Sequence, residues 1–182
     1  GRPLVEWAID ALAPQVATLV LSVNRNIDAY ATYGHPVVQD AISGFQGPLA
    51  GLLSAMRAAP TGWILTLPCD TPRPPSDLGA RLVCALRDQG ADLAVATDGT
   101  RSHSLHALLP VSLAADLAAF IASGERKVGL WQARHRVAYA DFGDCTGCFA
   151  NLNSQDDARR LEQTLSSLDL TAPASSPGGN PA

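Results

Sequence analysis

Only one lysine, Lys127, occurs in the 182 residues, and it lies far downstream of the glycine-rich stretch at 44–51. A phosphate loop of the Walker type, which needs its lysine beside the glycines, is thereby excluded. Positive charge is scarce as a whole: the formal net charge is −4, which gives no electrostatic case for nucleic acid as a partner. Long apolar runs are missing too. The stretches 17–23 and 63–68 are strand-sized, so no membrane span is expected. Residues 1–10 read as an amphipathic helix rather than a signal peptide. Neither a Ser/His/Asp arrangement nor an HExxH pair presents itself, and there are no internal repeats. Cysteines number four, and a chain that is 47% apolar has core enough to do without disulfides. The expected compartment is the cytoplasm. Cys145 and Cys148 form a lone CxxC without a second Cys or His pair, a weak zinc signal read here as structural or incidental.

What is present is an alternation of helical and strand patterns. Leu4, Val5, Ala8, Ile9 and Leu12 mark one face of a helix that follows Pro3. Strands are expected at 17–23, 36–40, 63–68, 91–97, 103–110, 136–142 and 148–153, with 24–33 read as polar and turn-like. Helices are expected in the second half of 42–59, then at 77–89, 112–123, 127–134 and 155–168. Residues 171–182 are rich in Pro, Gly and Ser and are expected to be disordered. The domain is thus taken as 1–168, with 169–182 as a tail. Continuously apolar strands between helices argue an α/β domain whose mostly parallel sheet is covered on both faces.

In open α/β sheets, ligands bind beyond the carboxyl ends of the strands. The polar residues placed there are Ser22, Asn24, Asp40, Asp70, Asn151 and Asn153, joined by the stretch Gly47-Pro-Leu-Ala-Gly51. Asp70 ends a greasy strand and meets a Thr-Pro turn. It could cap that turn, or hold Mg²⁺, which favours one or two carboxylates plus phosphate oxygens and waters; position alone leaves both readings open. Asp40 alone reads as a turn residue. The glycine stretch could bring backbone amides close to an anion. Chemistry that needs only Mg²⁺, amides and a glycine loop is phosphoryl or nucleotidyl transfer, where positioning and charge neutralisation do most of the work.

The segments GRPLVEWAIDAL, SVNR, VVQD, GPLAGLLSAM, LPCDTP, GERKV and FANLNSQDD follow one another in this order. Together they resemble the molybdenum cofactor guanylyltransferases, over residues 1 to 165, with GPLAG plus CDTP the most specific elements. The resemblance implies a three-layer, Rossmann-like fold of the nucleotide-diphospho-sugar transferase kind. It implies transfer of GMP from GTP to molybdopterin with release of pyrophosphate, Mg²⁺ as cofactor, and molybdoenzyme chaperones as further partners. By matching position, Asp70 would hold Mg²⁺ and contact the nucleotide, and Asp40 and Ser22 would contact GTP. Gly47, Leu49 and Gly51 would lie near the pterin, with Asn151 and Asn153 near the active centre. Ser22 is Asn in some members, and Ser-Gln follows Asn153 where Thr-Pro is usual. The family's LAGGxxxRMGxDK signature does not precede Gly1, so the expectation is a truncated member without its central first strand, inactive as a fragment. The rival readings are a sister nucleotidyltransferase using CTP or a sugar phosphate, a non-catalytic nucleotide- or pterin-binding module, and a fragment that does not fold alone.

Overall fold

The computed structural model describes residues 2–40, 47–71, 73–145 and 147–152. The chain divides into two units, Gly1–Ala150 and Asn151–Ala182. Of the second, only Asn151, which is exposed, and Leu152 are described. Asn153, the expected helix 155–168 and the expected tail lie outside the described residues.

The first unit is an α/β structure. Helix α1 (Leu4–Leu12) starts right after Pro3, which stands at the N-cap position. Its Ile9 and Leu12 pack with the buried Val5, Leu19 and Leu21 in a small cluster. Strands β1 (Leu21–Ser22) and β2 (Val37–Val38) pair in parallel, with Leu21 opposite Val37. Both are shorter than the pattern suggested. Among the described residues β1 has only the two-residue β2 as a partner, and a ladder cannot outrun its shorter strand. Between them, where only turns were expected, lies the short helix α2 (Ile27–Ala31), whose Tyr30 leans on the α1 cluster.

Helix α3 (Pro48–Ala58) is followed by β3 (Trp63–Thr66), α4 (Leu78–Asp88), β4 (Leu93–Thr97) and β5 (Ser102–Pro110). Then come α5 (Ala114–Ala122), α6 (Val128–Gln132) and β6 (Val137–Asp141). The larger sheet has the order β3-β5-β4-β6. β4 and β6 are parallel, and β5 is antiparallel to both β3 and β4. So β3, β4 and β6 share one direction and β5 alone is reversed. The reason is the connection: β4 and β5 meet at Thr97 and Ser102, and the turn between them is too short for a crossover, so they form a hairpin. Asp98 builds that turn by accepting the Thr100 and Arg101 amides, both at 2.9 Å, while Gly99 takes φ +85°.

Helices cover both faces. On one, Leu49, Leu53 and Met56 of α3 meet Leu117 of α5 and Trp131 of α6 over Val95 and Leu109. On the other, Leu78 and Leu82 of α4 pack with Phe142 and Phe149 over Ala94 and Ala138. This is the expected three-layer arrangement. The strand expected at 148–153 does not form over its described part. Residues 147–149 are turn, held by hydrogen bonds from Cys148 N–H to Cys145 C=O and from Ala150 N–H to Gly147 C=O. Phe149 is drawn into the core instead of alternating along a strand. Cys145 and Cys148, read from sequence as structural or incidental, are paired across this turn with Cα atoms 5.7 Å apart, a span that suits a disulfide. Cys69 and Cys84 are free thiols. No helix among the described residues is long and apolar enough to cross a membrane.

Candidate functional site

Three segments converge on one corner of the first unit. Ser22 ends β1, Asp40 follows β2, and Gly51 sits in the first turns of α3. Gly51 marks a close approach there. A Cβ at this position would stand 2.8 Å from Ser22 Oγ and 3.6 Å from Asp40 Oδ1. The bare backbone therefore lets α3 press against both side chains. Gly47, just before α3, takes φ +71°, a left-handed conformation that favours glycine, and Pro48 then opens the helix. Leu49 differs from its neighbours: the whole residue is buried in the core, and the cavity described next is lined by Gly47, Pro48 and Gly51 around it.

Ser22, Asn24, Asp40, Gly47 and Gly51 all line a cavity of about 880 Å³. The strand end that leads to Asp70, through Pro68 and Cys69, lines the same cavity. Asp40 thus lines this space, and Asp70 is the next residue after Cys69, which also lines it. Among the described residues, β1 pairs only with β2 and β3 only with β5, so each leaves an edge beside this cavity.

Asp70 carries the observation of most chemical interest. Its Oδ1 is buried and has no hydrogen-bond partner among the described residues. Such an oxygen is costly unless something positive or hydrogen-bonding meets it. Among the described residues Thr71 Oγ1 and His106 Nε2 are buried without hydrogen-bond partners as well. The β3–β5 register puts His106 one residue beyond the Thr66–Ala107 pair, level with the end of β3. Sequence reading missed this histidine. The pairing of β4 with β5 jumps from Val95–Ala107 to Ala96–His103, and no pattern in the sequence announces that bulge. Burial, with His103 nearby, pushes the His106 imidazole down to about 3. His103 itself is held at Nε2 by Asp98, 2.8 Å away, and stacks on Phe149 with ring centroids 4.2 Å apart.

No group of three or more His, Cys, Asp or Glu among the described residues could hold a metal ion by itself. An ion at Asp70 would draw on one protein carboxylate and complete its shell with ligand oxygens and water. That is the habit of Mg²⁺, and the unpartnered Oδ1 fits it. Of the remaining expected site residues, Asn151 opens the second unit and is exposed, and Asn153 is outside the described residues.

The model of the MobA-like NTP transferase domain matches residues 1–137. The chain belongs to the MobA-like NTP transferase family. The molybdenum cofactor guanylyltransferase of Shewanella sediminis is 39% identical to this MobA-like chain over 165 residues, 91% of the chain and 84% of that relative. Among solved structures, molybdopterin-guanine dinucleotide biosynthesis protein A from Archaeoglobus fulgidus superposes with a TM-score of 0.73 at 24% identity, covering 90% of this chain and 86% of that one. The 2-C-methyl-D-erythritol 4-phosphate cytidylyltransferase of Thermus thermophilus gives 0.67 at 17% identity, over 91% and 90%. These two establish the nucleotidyltransferase fold. By family, the MobA-like chain is a nucleotidyltransferase.

Proposed function

We propose that this chain transfers GMP from GTP to molybdopterin, forming the guanine dinucleotide and releasing pyrophosphate. The observation that carries the reading is the 39% identity, over 91% of the chain, to a relative named for that activity. A phosphate oxygen of the pterin attacks the α-phosphorus of GTP. The new P–O bond forms as the α–β phosphoanhydride bond breaks, and pyrophosphate leaves. The nucleophile is already an anion, so the protein need not supply a general base.

The residues divide the remaining work. Asp70 would hold a divalent ion, Mg²⁺ in this reading, which when bound supplies charge neutralisation at the phosphates. Asp40 and the Ser22 hydroxyl hold the guanosine, one as a charged acceptor and one as donor or acceptor. The Gly47–Gly51 stretch, whose two end glycines line the cavity, orients the acceptor. The arrangement works by position, which is the main lever in reactions of this type. We place the activity in the cytoplasm.

Pyrophosphate release from GTP and molybdopterin is the test. Asp70→Ala should lower it at least about a hundredfold, the order seen when one stabilising group for developing charge is removed, with the thermal melt unchanged. CTP in place of GTP should give no turnover. Full activity of Asp70→Ala would end the metal role, and preference for CTP would end the guanylyl reading.

A further inference from the structure

Asn24 has no role in the account so far, yet it makes the closest polar contacts that Asp40 has among the described residues. The β1–β2 ladder runs from Leu21 N–H to Pro36 C=O at 2.9 Å and from Val23 N–H to Val38 C=O at 2.9 Å. One step further on, the Asn24 side chain takes over the pairing. Asp40 N–H donates to Asn24 Oδ1 at 3.0 Å, and Asn24 Nδ2 donates to Asp40 Oδ2 at 2.8 Å. The backbone N–H must meet an acceptor, so the carboxamide oxygen faces it and the NH₂ is left to face the carboxylate. The orientation of the amide follows from the network.

This clamp decides which oxygen Asp40 presents. Oδ2 is occupied by Asn24, and Oδ1 is the atom near the Gly51–Ser22 corner. A carboxylate torsion is broad and roughly two-fold when nothing holds it. Two bonds from one side chain, one to the backbone and one to the carboxylate, remove that freedom before a ligand arrives. We infer that Asn24 is a positioning residue for nucleotide binding: it fixes Asp40 so that Oδ1 faces the Ser22–Gly51 corner. The inference rests on the reading of Asp40 as a GTP contact, and its first readout does not depend on that reading.

The experiment compares the wild-type chain with Asn24→Ala and Asn24→Asp. Amide hydrogen exchange comes first. Asp40 N–H should lose its protection in Asn24→Ala while the amides of β4 and β5 keep theirs; retained protection at Asp40 would overturn the inference whatever the enzyme does. Kinetics come second. In Asn24→Ala the KM for GTP should rise about 5–10-fold, the size of one hydrogen bond, with kcat within about twofold. Asn24→Asp should be worse than Asn24→Ala, because it sets a carboxylate against a carboxylate. A purely structural role would instead lower the melting temperature and leave KM alone, and that result would also overturn the inference. If the wild-type protein neither binds nor turns over GTP, the nucleotide-binding role falls with the functional reading, and the exchange result still decides whether Asn24 holds Asp40.

Discussion

Gly51 shows how one missing carbon shapes the corner. An alanine here would face Ser22 Oγ at 2.8 Å, while its distance to Ser22 Cβ, 3.8 Å, is an ordinary contact. The cheap escape is rotation of the Ser22 hydroxyl to another staggered position. Gly51→Ala is therefore expected to displace that hydroxyl, and helix α3 should lose no stability, since Ala is the better helix former. Its KM for GTP should rise by about the same factor as in Ser22→Ala, roughly 5–10-fold for one lost hydrogen bond. The double variant should add nothing further, because both changes remove the same group. Steady-state kinetics on the three variants check this, and additive effects would contradict it. At this scale Ser22, Asp40 and Gly51 were legible as polar or glycine residues after strands. Asn24 was legible only as a member of that set. Its bond to a residue sixteen positions away depends on the pairing of two strands, which no local pattern specifies.

At the scale of elements, β5 is the least regular strand. It is central, reversed, and bulged between its pairings with Val95 and Ala96. The bulge leaves His106 buried in a strand interior, edge-on to Phe149 with ring centroids 4.8 Å apart. Its neighbours that titrate are His103, 5.8 Å away between centroids, and Asp98 behind His103. Burial holds His106 neutral down to about pH 3, against an ordinary value of 6.5. Between these limits the unfolded chain takes up a proton that the folded chain refuses. Stability should thus fall as pH drops from 6.5 toward 3, by at most about 1.4 kcal/mol per pH unit. Above 6.5 this group has no effect. Asp98 is held below the usual carboxylate range, chiefly by the Thr100 hydroxyl, and so loses its contribution only at lower pH. Urea unfolding at pH 7 and pH 5 should show the loss, and His106→Leu should remove most of it. An unchanged slope in that variant would refute the assignment. The strand itself was readable from its apolar run. The bulge was not, because it arises from how two strands share a register.

For the whole molecule, the cavity divides regions of unequal support. β4 and β5 each have strand neighbours on both sides and helices above and below. β1 and β2 pair over two residues and stand beside an 880 Å³ space. Local opening is easiest where few buried contacts oppose it. Amides of Leu21 and Val23 should exchange well before those of Val95 and Ala107, and equal protection would show that the two regions open as one. The alternation of apolar runs with helical faces was enough to determine an α/β chain, most of its elements in their order and covered sheet faces. These follow from burial, which each segment encodes in its own period. Which strand runs backwards, which edges stay unpaired, where Phe149 and His106 go and what holds Asp40 were decided only by tertiary structure. Those features depend on hydrogen bonds and packing between segments far apart in the chain, and such partners are chosen when the layers assemble.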